Sequence, residues 1–405
     1  MPLIRLKRTG LLMTDTPTTP PAVTAALARV DETHYRGTDK RAVRQTTPAS
    51  VIERHLPLLD IQEGMRVLEI GTGSGYSTAL LAELAGPRGT VVSVDVEADL
   101  ITRATGLHHQ AGYTTITSLT GDGYTGAPDH APFDRLVAWT TPPHLPTAWV
   151  EQVRPGGIIL APLVCAPIAY STAMARVTVA NDHTPGPITL SRGQYVPMTT
   201  PALNRSRYAT VSRVIDGERS PSYISAPWLT ATEDQDLAEA VFTRMLNAAH
   251  TEPVDIGWPE IEHFKLWTIA HKPAGLTMAQ RGKETMVGIT TTDNAGFVAL
   301  FPNTRLVADS ATSPALEYVR ALIQEWKEHG RPTIDPLGAH PTPTHPGWTL
   351  MLDPNPRSVE ATAARPSARA DSGLGRCSSS RCSELLATGP ELNPQAGPTR
   401  IEWGP

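Results

Sequence analysis

The chain has 405 residues, 40% of them apolar and 19% charged, with a formal net charge of −5. That length accommodates two domains with tails, and the apolar fraction supports a sizeable core. There is no basic excess to draw the chain to nucleic acid or an anionic membrane, and no apolar run reaches the roughly 18 residues of a membrane-spanning helix.

The N-terminus, MPLIRLKRTGLLM, is too short and broken in its apolar part for a signal peptide, so a cytoplasmic location is expected. Met13 opens an alternative start, with residues 1–12 expected to be an extension ahead of it. The Pro/Thr tract at 14–22 reads as disordered and is followed by a helix over about 22–30. HYRGTDKRAVRQTTP (34–48) shows no periodicity and reads as a polar loop.

From Pro48 the pattern becomes regular. A helix is expected to about Leu59, a buried strand RVLEI at 66–70, a glycine loop at 71–75 and a helix over 76–84. Strand TVVSVD (90–95), a helix over 97–110, strand TTITSLT (114–120) and strand FDRLVAW (133–139) follow. A helix over 145–153 and strand GGIILAPL (156–163) complete the run. Near-continuous apolar strands alternating with helices predict a doubly wound Rossmann-like α/β sheet with helices on both faces.

After 165 the rhythm changes. STAMARVTVA (171–180) alternates like an exposed strand, and residues 186–225 read as short strands and turns. Thr232–Gln235 fits a capping box opening a helix to about Ala249. HFKLWTIA, MVGITTT and GFVALF, within 262–304, read as strands. Ser313-Pro314 reads as a helix start, with Leu316, Val319, Leu322, Ile323 and Trp326 on one face. The expected organisation is a disordered or partly helical segment at 1–30, an α/β domain at 31–185, an α+β extension at 186–353, and a disordered tail at 354–405. The three cysteines, Cys165, Cys377 and Cys382, are too few for a disulfide framework, and none stands at metal-ligand spacing from a histidine. No metal site is expected.

The strongest chemical signal is VLEIGTGSGYS at 67–77. A strand runs into Gly71-Thr72-Gly73-Ser74-Gly75 and a helix starts at once, so a ligand can lie against bare backbone at a helix N-terminus. Asp95 ends the second strand, where a carboxylate can accept both hydroxyls of a ribose. A dinucleotide is one reading, but its fingerprint is G-x-G-x-x-G. Here the loop is G-x-G-x-G, preceded by Glu69, which would repel a pyrophosphate and suit an ammonium. The inferred ligand is S-adenosylmethionine. Asp122-Gly123 follows the third strand, where Asp122 could accept the adenine amino group.

These residues resemble the protein-L-isoaspartate (D-aspartate) O-methyltransferases over about 33–165. The likeness rests on Thr46-Thr47-Pro48, VLEIGTGSGYSTALLAEL, GTVVSVD, SLTGDGYTGAPDHAPFDRLV and VRPGGIILAPL. It implies a class I methyltransferase sheet, S-adenosylmethionine as cofactor, and an aspartyl or isoaspartyl carboxylate of a peptide or protein as acceptor. It also implies that Thr46, at the family's hydroxyl position, is the residue beside the reacting carboxylate. Two departures fall on the acceptor side. Pro162–Tyr170 has no glycine or Gln where the family has a Gly-rich loop ending in Gln, and about 150 structured residues are added. Relatives with such extensions methylate an aspartate in a ribosomal precursor peptide, whose ester closes to a succinimide. A non-catalytic cofactor-binding scaffold and a small-molecule O-methyltransferase are the other readings. His108 and His109 are expected to be solvated; Trp139 reads as either a wall of the acceptor site or a core residue; His144 is not needed as a base.

Overall fold

A computed structural model of the chain describes residues 19–37, 43, 47–193, 195–198, 210–213, 222–230, 235–257, 260–301, 303–334 and 337–354. The expectations for residues 1–18, Thr46, Thr232 and the tail beyond 354, with Cys377 and Cys382, lie outside them.

In chain order the first half comprises α1 (Pro21–Arg29), α2 (Glu32–Arg36), α3 (Ala49–His55), β1 (Arg66–Ile70), α4 (Tyr76–Ala85), β2 (Thr90–Asp95), α5 (Ala98–Gln110), β3 (Ile116–Thr120), β4 (Phe133–Ala138), β5 (Leu145–Pro146), α6 (Thr147–Gln152), β6 (Val153–Val164), β7 (Thr172–Val179) and β8 (Pro185–Ser191). The second half comprises β9 (Thr210–Arg213), β10 (Ser222–Ser225), α7 (Pro227–Thr230), α8 (Gln235–Leu246), β11 (His250–Pro253), α9 (Ile261–His271), β12 (Leu276–Arg281), β13 (Glu284–Thr290), β14 (Ala295–Phe301), β15 (Arg305–Ala308), α10 (Pro314–Glu328), β16 (Gly338–Thr344) and β17 (Gly347–Asp353).

The first sheet has the order β3-β2-β1-β4-β6-β7-β8. β3, β2, β1, β4 and β6 are parallel, and β7 and β8 add on antiparallel. The strand order reverses between β1 and β4, which places a ligand crevice at their carboxyl ends. This is the doubly wound, Rossmann-like sheet that the alternating pattern predicts. The second sheet, β11-β15-β14-β13-β12-β10-β9, pairs antiparallel throughout. A third, β16-β17-β5, joins the last described hairpin to the first half.

The two halves share a core. One buried cluster runs from Leu68 and Ile70 through Leu163 and Ile168 to Phe264, Leu316 and Trp326. The expected boundary at 185–186 falls at the first residue of β8, which pairs within the first sheet. α10 buries its expected face, Leu316, Val319, Leu322, Ile323 and Trp326, and Pro314 stands in its first turn. Ser313 bonds the Ala295 carbonyl (3.4 Å) instead of capping the helix. Trp326 is fully buried and edge-on to Phe264 at 5.6 Å. Trp326→Ala is expected to cost about 3–5 kcal/mol. Urea unfolding followed by circular dichroism checks this; a loss below 1 kcal/mol would mean the site collapses around the missing ring.

Several local expectations are corrected. Residues 32–36 are a short helix, not loop, because Asp31 accepts the Thr33 N–H (2.9 Å) and Tyr35 is buried. HFKLWTIA is not a strand but lies in α9, with Phe264–Ala270 buried on all sides. A run apolar all round carries no helical stripe, so its period misleads. β7 is not exposed, since β6 and β8 flank it and most of its side chains are buried. Among the described residues no helix is long and apolar enough to cross a membrane.

Candidate active site

The crevice at the reversal of strand order has a volume of about 190 Å³. Its floor is the loop between β1 and α4. Gly71, Gly73 and Gly75 adopt φ of +93°, +50° and +83°, a left-handed run that side chains other than glycine resist. A Cβ on Gly73 would meet nothing within 4 Å, so the space over the loop is open. Gly71, Thr72, Gly73, Ser74, Asp95 and Gly123 all line the crevice.

Asp95 holds the loop from across the crevice. Its Oδ2 accepts the Gly73 N–H (3.0 Å) and its Oδ1 the Glu97 N–H (3.1 Å). A carboxylate offers about four acceptor positions, so two remain for a ligand diol.

Three of the sequence-selected residues do not line the crevice. Gly75 turns away as the residue before α4, and His108 and Ala104 of α5 pack against it. Asp122 closes a turn by accepting the Tyr124 N–H (2.9 Å), beside Gly123. Glu69 lies beneath the loop, fully buried. Its carboxylate accepts from Ser77 Oγ (2.5 Å), Thr78 Oγ1 (2.5 Å), Ser93 Oγ (2.7 Å) and Trp139 Nε1 (2.8 Å). The direct contact with a ligand ammonium expected from sequence is therefore corrected: four protein donors occupy the carboxylate and the loop covers it. Burial raises its pKa, and the four hydrogen bonds oppose that rise. Burial therefore favours the protonated form and the four hydrogen bonds the ionised one.

Trp139 is a core residue that also reaches the crevice. It donates to Glu69. His108 is corrected from solvated to buried: Nε2–H donates to the Gly75 carbonyl (2.9 Å), and burial lowers its pKa. Gly75→Ala would put a methyl 2.9 Å from His108 Nε2 and 3.0 Å from Ala104 Cβ at φ +83°. A loss of about 2–4 kcal/mol is expected from strain and overpacking together. An unchanged thermal midpoint would show that the loop re-forms.

The sequence reading missed a strap. Val196, Pro197 and Met198 line the crevice opposite the glycine loop. Thr141 N–H bonds the Val196 carbonyl and Met198 N–H the Thr141 carbonyl, both at 2.8 Å. Nothing periodic marks so short a segment; the only signal was Gln-Tyr-Val-Pro-Met after the sheet. Tyr195 anchors it, donating its hydroxyl to His55 Nδ1 (2.7 Å) while His55 Nε2–H donates to the Arg192 carbonyl (2.9 Å). Burial lowers the His55 pKa to about 4. The unfolded chain binds this proton near the ordinary value of about 6.5. The stability that neutral His55 contributes is therefore complete above that pH and is lost as pH falls toward the folded value. Between pH 7 and pH 5 wild type should lose about 2 kcal/mol through this group, a loss absent from His55→Asn. Parallel urea-stability profiles of the two proteins would remove the assignment.

The Pro162–Tyr170 departure is where the second half attaches. Ser171 hydroxyl ties the loop to the Ala166 (2.6 Å) and Ile168 (2.8 Å) carbonyls, Ala169 N–H bonds Ser225 Oγ (2.9 Å), and exposed Tyr170 stacks on Tyr223.

Residues 43–202 match the family model described as protein-L-isoaspartate(D-aspartate) O-methyltransferase. Similar proteins include the protein-L-isoaspartate O-methyltransferase of Methanococcoides burtonii, 42% identical over 106 residues, 26% of this chain and 52% of that one. The Methanothrix thermoacetophila enzyme of the same name is 39% identical over 125 residues, 31% of this chain and 58% of its own. The chain thus spans about half the length of the curated relatives it matches. A solved protein-L-isoaspartate O-methyltransferase aligns with 14% identity over 82% of this chain and 95% of its own, at a TM-score of 0.38, too low to bear on the site. The matched segment includes the glycine loop, Asp95, Trp139 and the strap, whereas β9–β17 lie beyond it.

Proposed function

We propose that the chain is an S-adenosylmethionine-dependent O-methyltransferase of the protein-L-isoaspartate type, acting on an isoaspartyl or aspartyl carboxylate in a peptide or protein. One observation carries this reading. The open glycine loop faces Asp95 over a buried, hydrogen-bonded Glu69, within the segment that matches that family.

The residues present fit the cofactor. Asp95 would take its ribose hydroxyls, the Gly71–Ser74 backbone would lie against its amino-acid part, and Asp122 with Gly123 would flank its base. In its ionised form, buried Glu69 favours a cation above the loop without touching it. S-adenosylmethionine, when bound, supplies an electrophilic methyl on a sulfonium. The chain aligns the acceptor with that position and excludes water, an effect worth up to about 7–11 kcal/mol in well-oriented cases. A carboxylate is already ionised at neutral pH, so no general base is required. His144 is engaged with the Tyr124 hydroxyl. Thr46, two residues before Pro48, is proposed to donate its hydroxyl to the acceptor carboxylate. Thr46→Val should lower turnover about 10²-fold while cofactor binding changes little.

A second reading, peptide tailoring, is favoured by the second sheet's attachment at the Pro162–Tyr170 loop. Residues 31–185 would carry the methyl transfer, 186–353 would recognise a larger peptide, and 354–405 would serve neither, in a cytoplasmic protein. The ester would then be attacked by the next backbone nitrogen, releasing methanol to give a succinimide. The test is mass spectrometry of purified enzyme, with cofactor, on short isoaspartyl peptides and on cyclised aspartyl peptides. Rapid methylation of short isoaspartyl peptides favours repair; activity confined to the larger peptides favours tailoring. Transfer to neither overturns the enzyme reading.

A further inference from the structure

A second cavity, of about 690 Å³, opens between the two halves of the chain. Its walls come from both halves of the chain. Val164–Pro167 lie at the carboxyl end of β6, and Pro143 lies in the loop after β4. Trp228 of α7, Leu276 of β12 and Met351 of β17 face them. Its volume lies within the range of ligand sites, roughly 300–1,000 Å³. Its surface is predominantly apolar, and Lys272, exposed at the end of α9, is the one charged side chain among the lining residues.

Its position decides its occupant. The loop after β4 serves both spaces: Trp139 and Thr140 line the crevice, and Pro143 lines the cavity. Three residue steps separate Thr140 from Pro143, a span of at most about 11 Å. An extended polypeptide covers that distance in three or four residues. A chain whose carboxylate enters the crevice therefore has the cavity within reach of a side chain a few positions away. The wall residues 228, 272–276 and 349–351 lie beyond the matched segment, so this space belongs to the added half.

We propose that this cavity binds an apolar side chain of the acceptor polypeptide, two to four residues from the methylated carboxylate, with Lys272 favouring an acidic residue next to it. The proposal rests on the carboxyl methyltransferase reading for its choice of ligand. Burying a large apolar side chain there removes it from water.

The test uses the full chain and peptides of one length carrying a single aspartyl or isoaspartyl acceptor. One Phe is scanned through the four positions on each side, against an all-Ser background. Binding is read by fluorescence anisotropy of labelled peptides, and methylation by mass spectrometry. Phe at one position, two to four residues from the acceptor, should tighten binding about tenfold. Ala274→Trp, which fills the rim, should make the Phe and Ser peptides bind alike, and Met351→Asp on the opposite wall should do the same if the first variant folds poorly. Lys272→Glu should reverse the preference for an adjacent acid. Equal affinity for every Phe position, or a gain that survives both wall variants, would overturn the proposal. Peptide binding with this pattern but no methyl transfer would remove the enzymatic reading and leave the cavity assignment standing.

Discussion

Glu69→Gln is expected to destabilise the fold by about 2–4 kcal/mol and to weaken S-adenosylmethionine binding at least tenfold. The carboxylate accepts from Ser77, Thr78, Ser93 and Trp139. Gln keeps the shape but offers one acceptor oxygen, so in either orientation two of the four donors, Ser77 with Trp139 or Thr78 with Ser93, face an NH₂ group. Each buried donor left without an acceptor costs about 1–3 kcal/mol. Removing the burial cost of the ionised form offsets part of that, which sets the upper limit. The loss of affinity follows because the loop rests on this network. Urea unfolding and calorimetry with the cofactor give the two numbers. Full stability in the variant would mean the four hydroxyl and indole donors find other acceptors, and the network would lose its assigned part.

Asp95→Ala is expected to lower cofactor affinity at least a hundredfold. Two ribose hydroxyls would lose a charged acceptor, each hydrogen bond of that kind being worth about 1.5–3 kcal/mol. The Gly73 and Glu97 N–H groups also lose their partner, but both are near solvent, so water replaces it. Stability should therefore change much less than affinity, the reverse of the balance at Glu69. Calorimetry showing unchanged affinity would sink the ribose assignment.

How legible each part was follows from its physics. The parallel core could be read because its strands, such as Val67–Ile70 and Val91–Val94, are short apolar runs between turn residues, and its helices alternate with them. Glycines at positive φ announce a loop in any context, so the crevice floor was visible too. Glu69 was found but misplaced. A residue string shows that a carboxylate ends a strand, but not that Ser77, Thr78 and Ser93 converge on it from a helix and a neighbouring strand. Gly75 and His108 show the same limit, since their contact is made across two helices. The strap at 195–198 was invisible because its register comes from Thr141, more than fifty residues earlier in the chain. α9 was misread because burial on every side erases the stripe that marks a helix.

The pairing of β5 with β17 has a consequence for how the protein is made. Leu145 and Pro146 pair with Trp348 and Gly347 in antiparallel register, and the Pro346 carbonyl accepts the first N–H of α6 (3.3 Å). Synthesis is vectorial, so β5 leaves the ribosome long before the hairpin that pairs with it exists. Until residue 350 or so has emerged, β5 has no strand partner, and an unpaired edge exposes the nascent chain to aggregation. The added half is therefore tied to the first by assembly as well as by any role in recognition. A chain shortened before β16 would have to replace that missing edge before it could be stable.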